Sequence, residues 1–130
     1  MTPNLDLEIK VIGRFIIKSK RDRYLAFLQS DKTRNKFTNL LAHFRDLRLE
    51  LFEKVKSNER QIILERINSL GKLKDCYLIS ESSKLDQEKL GIDSALDEVI
   101  GSGIGTLIVF GDAEIVYYES ENPSDRWISK

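Results

Sequence analysis

The fold is best read outward from Leu96-Asp97-Glu98-Val99-Ile100, Gly101-Ser102-Gly103-Ile104-Gly105, Thr106-Leu107-Ile108-Val109-Phe110, Gly111-Asp112 and Glu114-Ile115-Val116-Tyr117-Tyr118-Glu119. The first block closes a short helix, and the glycines break it. The two apolar runs after them are strands at 106–110 and 114–119. The Gly-Asp pair between them fits a tight type II′ hairpin, because glycine at the first central position takes a positive φ without strain. A further turn at Asn122-Pro123-Ser124-Asp125 precedes a last short strand over Arg126-Trp127-Ile128.

Upstream, Cys76-Tyr77-Leu78-Ile79-Ser80 reads as a central strand, and Glu81 to Asp93 as a polar loop pinned by Leu85, Leu90 and Ile92. Asp93-Ser94 is positioned to cap the helix at 95–100. Phe37, Leu40, Leu41 and Phe44 recur at i, i+3, i+4 and i+7, an amphipathic helix opened by Ser30-Asp31. Ser19 with Asp22 offers a capping pair for a shorter helix that carries Tyr24, Phe27 and Leu28. Leu47, Leu49 and Leu51 alternate with charges, yet Phe44, Leu47, Leu51, Phe52 and Val55 continue a helical stripe. With no breaker between them, continuation of the helix is preferred. Asn58 with Gln61 then caps a helix lined by Ile63, Ile67 and Leu70 and stopped by Gly71.

Leu5 to Ile17 fits both periods. Alternation runs through Leu5, Leu7, Ile9, Val11, Phe15 and Ile17, while Leu5, Ile9, Ile12 and Ile16 fit a helical stripe. Five β-branched residues and an internal Gly13 weigh toward a strand. The expected architecture is therefore one α+β domain over residues 1–130. A small, mostly antiparallel sheet (N-terminal strand, central strand and C-terminal hairpin) packs one face against three to four helices drawn from 20–70.

The 130 residues are 41% hydrophobic and 32% charged, a globular balance. One cysteine, Cys76, excludes an internal disulfide and a multi-cysteine zinc site. The N-terminus lacks the basic-then-apolar layout of a secretory signal, and no stretch is apolar for long enough to span a bilayer. The expected setting is cytoplasmic, without membrane contact. The net charge of zero hides a split: residues 1–74 carry 17 Lys and Arg against 9 Asp and Glu, and residues 75–130 carry 4 against 12. If these halves separate in space, the protein is a charge dipole able to attract a polyanion.

Three local patterns invite chemistry and are answered by simpler readings. Gly101, Gly103 and Gly105 follow a helix and precede a strand, the reverse of a phosphate loop, which needs a helix N-terminus after its glycines. His43 is the only histidine and lies beside an apolar stripe; no spacing supplies it or Cys76 with metal-binding or catalytic partners. The acids Glu81, Asp93, Asp97, Glu98, Asp112, Glu114, Glu119 and Glu121 are numerous enough for a magnesium site, whose signature is weak, but solvated acids are the commoner outcome.

The basic stretch 10–36 is more specific. It holds nine cations against Asp22 and Asp31, with Tyr24 and Phe27 among them. Phosphate contacts and base stacking use such residues, although these aromatics also sit at core spacing. The candidate binding residues are Lys18, Lys20, Arg21, Arg23, Lys32, Arg34 and Lys36. No cofactor or catalytic residue is called for. The leading expectation is a small, soluble, non-catalytic protein-binding or regulatory module whose partner is another protein or a second copy of itself. Nucleic-acid binding through 10–36 is the alternative, and a carboxylate-metal enzyme stands last.

Overall fold

The computed structural model describes residues 4–55, 60–69, 75–122 and 125–129. Its elements are α1 (Leu5–Phe15), α2 (Arg21–Phe27), α3 (Asp31–Leu40), β1 (Phe52–Lys54), α4 (Arg60–Ser69), β2 (Asp75–Ser80), β3 (Lys89–Gly91), α5 (Ile92–Val99), β4 (Thr106–Phe110), β5 (Ile115–Glu119) and β6 (Arg126–Ser129). The α+β class is as expected from the sequence. The strands form one six-stranded sheet in the order β1-β6-β5-β4-β2-β3, antiparallel at every pairing.

The hairpin forms as read, with Thr106 opposite Glu119 and Phe110 opposite Ile115. Its connection is the four residues 111–114 rather than a Gly-Asp pair, with Gly111 and Ala113 both at φ +62°. The reason lies in α1. Arg14 Nη1 donates to the Ala113 carbonyl at 2.9 Å, Lys10 pairs with Asp112, and Ala113 is buried. The wider turn folds onto the helix instead of standing off it.

The N-terminal segment is a helix, not a strand. Glu8, Val11, Ile12 and Phe15 are its buried face at i, i+3, i+4 and i+7, whereas Ile9, on the alternating pattern, is 40% exposed. β-Branching costs a helix only tenths of a kcal/mol per residue, and burying Val11, Ile12 and Phe15 gains about 1.5–3 kcal/mol each. Tertiary packing therefore overrides propensity. Asp6 and Glu8 near the N-terminus and Arg14 near the C-terminus also oppose the helix dipole favourably.

The helix opened by Ser30 is capped as expected, Ser30 Oγ accepting from the Thr33 amide at 3.2 Å. It does not continue through 46–55, and residue 56 of the expected 46–56 continuation lies outside the described residues. The Tyr118 hydroxyl of β5 donates to the Leu41 carbonyl at 2.5 Å and accepts from the Phe44 amide at 3.0 Å, ending the helical run. The chain then runs extended beside the end of α1, with the Ile17 amide on the Asp46 carbonyl and the Arg48 amide on the Phe15 carbonyl, before entering β1. The Ser19–Asp22 cap is not used, because a 3-10 turn over Lys18–Lys20 leads directly into α2. Similarly, α5 begins at Ile92 straight from β3, without the Asp93–Ser94 cap, and β3 itself lies in the segment read as a loop. Asn58, Leu70 and Gly71 lie outside the described residues.

Both faces of the sheet are covered, not one. Tyr77, Ile79, Leu107, Val109, Val116 and Tyr118 pack under α1–α3 with Ile12, Phe15, Tyr24, Phe37 and Leu41. On the other face, Leu78, Ile108, Phe110, Ile115 and Tyr117 pack under Ile63 and Ile67 of α4 and Ala95, Leu96 and Val99 of α5. β2 lies inside the sheet, flanked by β3 and β4.

Two glycines carry opposite expectations. A Cβ on Gly105 falls 2.3 Å from the Leu41 backbone carbon, so Gly105→Ala loses about 1–3 kcal/mol to overpacking. Gly13 sits on the exposed side of α1, where an added methyl group meets nothing within 4 Å, so Gly13→Ala gains about 0.5–1 kcal/mol of helix stability. Denaturant midpoints of the two variants check this; shifts of the same sign contradict the packing described.

Candidate binding surface

The cations singled out in the sequence divide by burial. Lys18, Arg23, Lys32 and Lys36 are exposed, and Lys20 and Arg21 are half-buried. Arg21 Nε donates to the Ile16 carbonyl at 3.3 Å, and the Arg23 guanidinium lies 5.7 Å from the centre of the Phe27 ring. None of these six makes an ion pair within 4 Å with another described residue. They lie on the solvent side of the α2–α3 pair and its leading turn. Tyr24 does not join them: it is 1% exposed and its hydroxyl donates to Asp46 at 2.5 Å, so it offers no face to a base.

Arg34 leaves the set. It is 3% exposed on the inner side of α3, in the same stripe as Phe37 and Thr38. Nε and Nη2 donate to the two Glu8 oxygens at 2.9 and 2.7 Å, and Nη2 also reaches Asp86 Oδ1 at 3.0 Å while Nη1 pairs with Oδ2. The Tyr77 hydroxyl donates to Glu8 at 2.5 Å, and Asp86 accepts from the Ser80 amide. These bonds raise the Arg34 pKa further against the desolvation that would lower it. Burial, then the bond to Glu8, drives the Tyr77 phenol well above its ordinary range. The cluster joins α1, α3, β2 and the 82–88 turn, and its charge is spent inside the protein.

A second buried cluster lies on the opposite sheet face. Glu119 accepts from Arg126 Nε at 2.9 Å, from the Tyr117 hydroxyl at 3.0 Å and from the Gly101 amide at 3.0–3.1 Å. Beside Gly105, Glu81 accepts from the glycine's amide at 2.7 Å. Two donors of the glycine loop thus hold the protein's own carboxylates, which agrees with the loop being a helix stop and a strand entry. Neither cluster was anticipated from the sequence. The available signal was a charged residue occupying a buried helical position: Glu8 with Val11, Ile12 and Phe15, and Arg34 with Phe37, Thr38 and Leu41.

The remaining acids go to separate places. Arg60 pairs with Asp93 and Asp97, Lys10 with Asp112, and His43 with Glu121 at 2.7 Å. Among the described residues no group of three or more His, Cys, Asp or Glu is arranged to hold a metal ion. Cys76 and His43 are not brought together. Cys76 is opposite Phe110 at the far end of β4, whereas His43 follows Leu41 and Ala42, which meet Gly105 and Glu121 at the near end. Five strand residues, roughly 15 Å, lie between. Cys76 is buried, its Sγ 3.4 Å from the Leu90 carbonyl, and burial assisted by Asp75 pushes its thiol up to about 12. It also borders a cleft of about 250 Å³ with Asn4, Asp75 and Lys89, below the ~300 Å³ where small-molecule pockets begin.

The halves 1–74 and 75–130 interleave, through Lys10 with Asp112, Arg34 with Asp86 and Arg60 with Asp93 and Asp97, and what differs is the charge balance of the two helical layers. Residues 5–40, which carry α1–α3, hold nine Lys and Arg against four Asp and Glu, while α4 and α5 on the other face hold two against four. The described helices include none long and apolar enough to cross a membrane.

Arg34→Ala strands Glu8 in the interior and costs about 3–5 kcal/mol, whereas Lys36→Ala on the same helix stays within about 0.5 kcal/mol. Urea titrations separate them, and comparable losses contradict the assignment of inside and outside. Because the folded Cys76 thiol ionises near 12 and the unfolded one near 9, the unfolded chain sheds its proton first as pH rises. Stability held below pH 9 is lost progressively toward pH 12, and Cys76→Ala makes that decline shallower in denaturation melts at graded pH. Compared with known proteins, the chain matches no family model, no curated protein sequence and no solved structure.

Proposed function

We propose that the chain is a binding or regulatory module that docks an acidic surface of a protein partner through Lys18, Lys20, Arg21, Arg23, Lys32 and Lys36. The observation that carries this reading is the position of these cations on the solvent side of one helical layer, without ion pairs among the described residues, while the acids of α5 lie across the sheet. Asp22 and Asp31 are also exposed there, so the surface is basic in balance, and such a surface steers an acidic partner and accelerates encounter more than it deepens affinity.

Nucleic-acid binding through the same stretch is the competing reading. The burial of Tyr24 weighs against its stacking component, and Arg34 contributes no phosphate contact from the interior. Phosphate contacts from the exposed lysines alone remain open to it.

Fluorescence anisotropy of a labelled oligo-glutamate of about 20 residues, and of single- and double-stranded DNA of similar length, tests the choice. The expected result is oligo-glutamate binding at about 50 mM salt that fades by about 200 mM and drops about tenfold in Lys20→Glu/Arg23→Glu. Submicromolar DNA binding at physiological salt, lost in the same variant, transfers the reading to nucleic acid. Failure of every polyanion to bind at low salt overturns both.

A further inference from the structure

Helix α3 spends its residues unevenly. Arg34, Phe37 and Thr38 point inward, and Lys32, Lys36 and Leu40 form an outward row at i, i+4 and i+8. At 1.5 Å rise per residue, successive members of this row are about 6 Å apart. Asn35 and Asn39 form a second exposed row beside it. Leu40 is 39% exposed, one of three large apolar side chains so placed among the described residues, with Ile9 and Leu49. It stands one turn beyond Lys36 on the line set by the two lysines.

Resting on the docking reading above, we propose that this row is the contact itself and that its occupant is an acidic amphipathic helix of a protein partner. Two carboxylates four residues apart meet Lys32 and Lys36, and an apolar side chain one turn further covers Leu40. The match follows from shared pitch: ridges of the i±4 kind on one helix seat in the corresponding groove of another. Charge complementarity selects the sign of the partner, and Leu40 supplies the apolar contact that a pair of exposed lysines lacks. Exposed ion pairs alone contribute too little to define a partner. A phosphate backbone carries charge at similar intervals but has nothing to set against a leucine.

The test uses the full chain and three fluorescein-labelled probes: a helix-forming peptide of about 18 residues with Glu, Glu and Leu at i, i+4 and i+8, a scrambled isomer of it, and oligo-glutamate of the same length. At about 100 mM salt the helical isomer binds about tenfold more tightly than the other two. In Leu40→Ala, an exposed substitution that leaves the melting temperature in place, that preference collapses. Equal binding of the two isomers, or a preference that survives Leu40→Ala, overturns the α3 row; oligo-glutamate binding that still falls in Lys20→Glu/Arg23→Glu then leaves the broader docking reading standing. No binding by any acidic probe overturns both, and DNA outcompeting the helical peptide overturns the choice of a protein occupant.

Discussion

Every side chain of β4 and β5 is buried, on both faces of the sheet, and the architecture follows from that one constraint. A strand with no solvent-facing side must be covered twice, and a single layer of helices leaves half of its apolar surface wet. Leu107 and Val109 look toward α1–α3, and Ile108 and Phe110 toward α4 and α5. The connection that enters β4 is held just as tightly. Gly105 lies against the backbone of Leu41, and the Tyr118 side-chain hydroxyl donates to the Leu41 carbonyl, so the end of α3 is joined to the hairpin by main-chain packing and one side-chain bond. Where that helix stops, and so where the extended 44–48 segment begins, is decided by a strand more than seventy residues away.

The polar interior follows a matching logic on each face. Burying a charge is tolerable only when its partners and hydrogen bonds come with it. Arg34 receives two carboxylates, and Glu119 receives a guanidinium, a phenol and a backbone amide. These clusters consume charge that composition alone counts as available. The cations left at the surface are fewer than the sequence tally; six of them lie on α2, α3 and the turn that leads into them, and others on α1, β1 and the 82–89 segment.

Much of the fold was legible in the sequence. The hairpin, the β2 strand, the Ser30 cap and three members of the stripe Phe37, Leu40, Leu41 and Phe44 carry local signals that packing reinforces, whereas Leu40, read with them, faces outward. The second helical layer also left a signal, which the expectation of a sheet covered on one face passed over: Thr106 to Phe110 is continuously apolar instead of alternating, the pattern of a strand buried on both sides. The N-terminal helix was not legible, because its deciding partners, Arg34 and the underside of the sheet, are remote in sequence while its β-branched residues speak locally for a strand. The end of α3 was hidden for the same reason, since the group that caps it is Tyr118. Within the basic stretch, Arg34 and Tyr24 lie inside the protein, and both sit at helical positions shared with large apolar neighbours.

The sheet's two margins bear on how any partner can attach. β1 and β3, the outermost strands, are three residues each, against four to six for the strands inside them. A foreign strand laid along either margin finds room for only a few main-chain hydrogen bonds, so extension of the sheet by another chain gains little. The same brevity denies identical molecules a template for stacking edge to edge. Under the docking reading proposed above, contact with a partner falls to side chains on the helical layers, and specificity would follow their identity and spacing rather than backbone pairing.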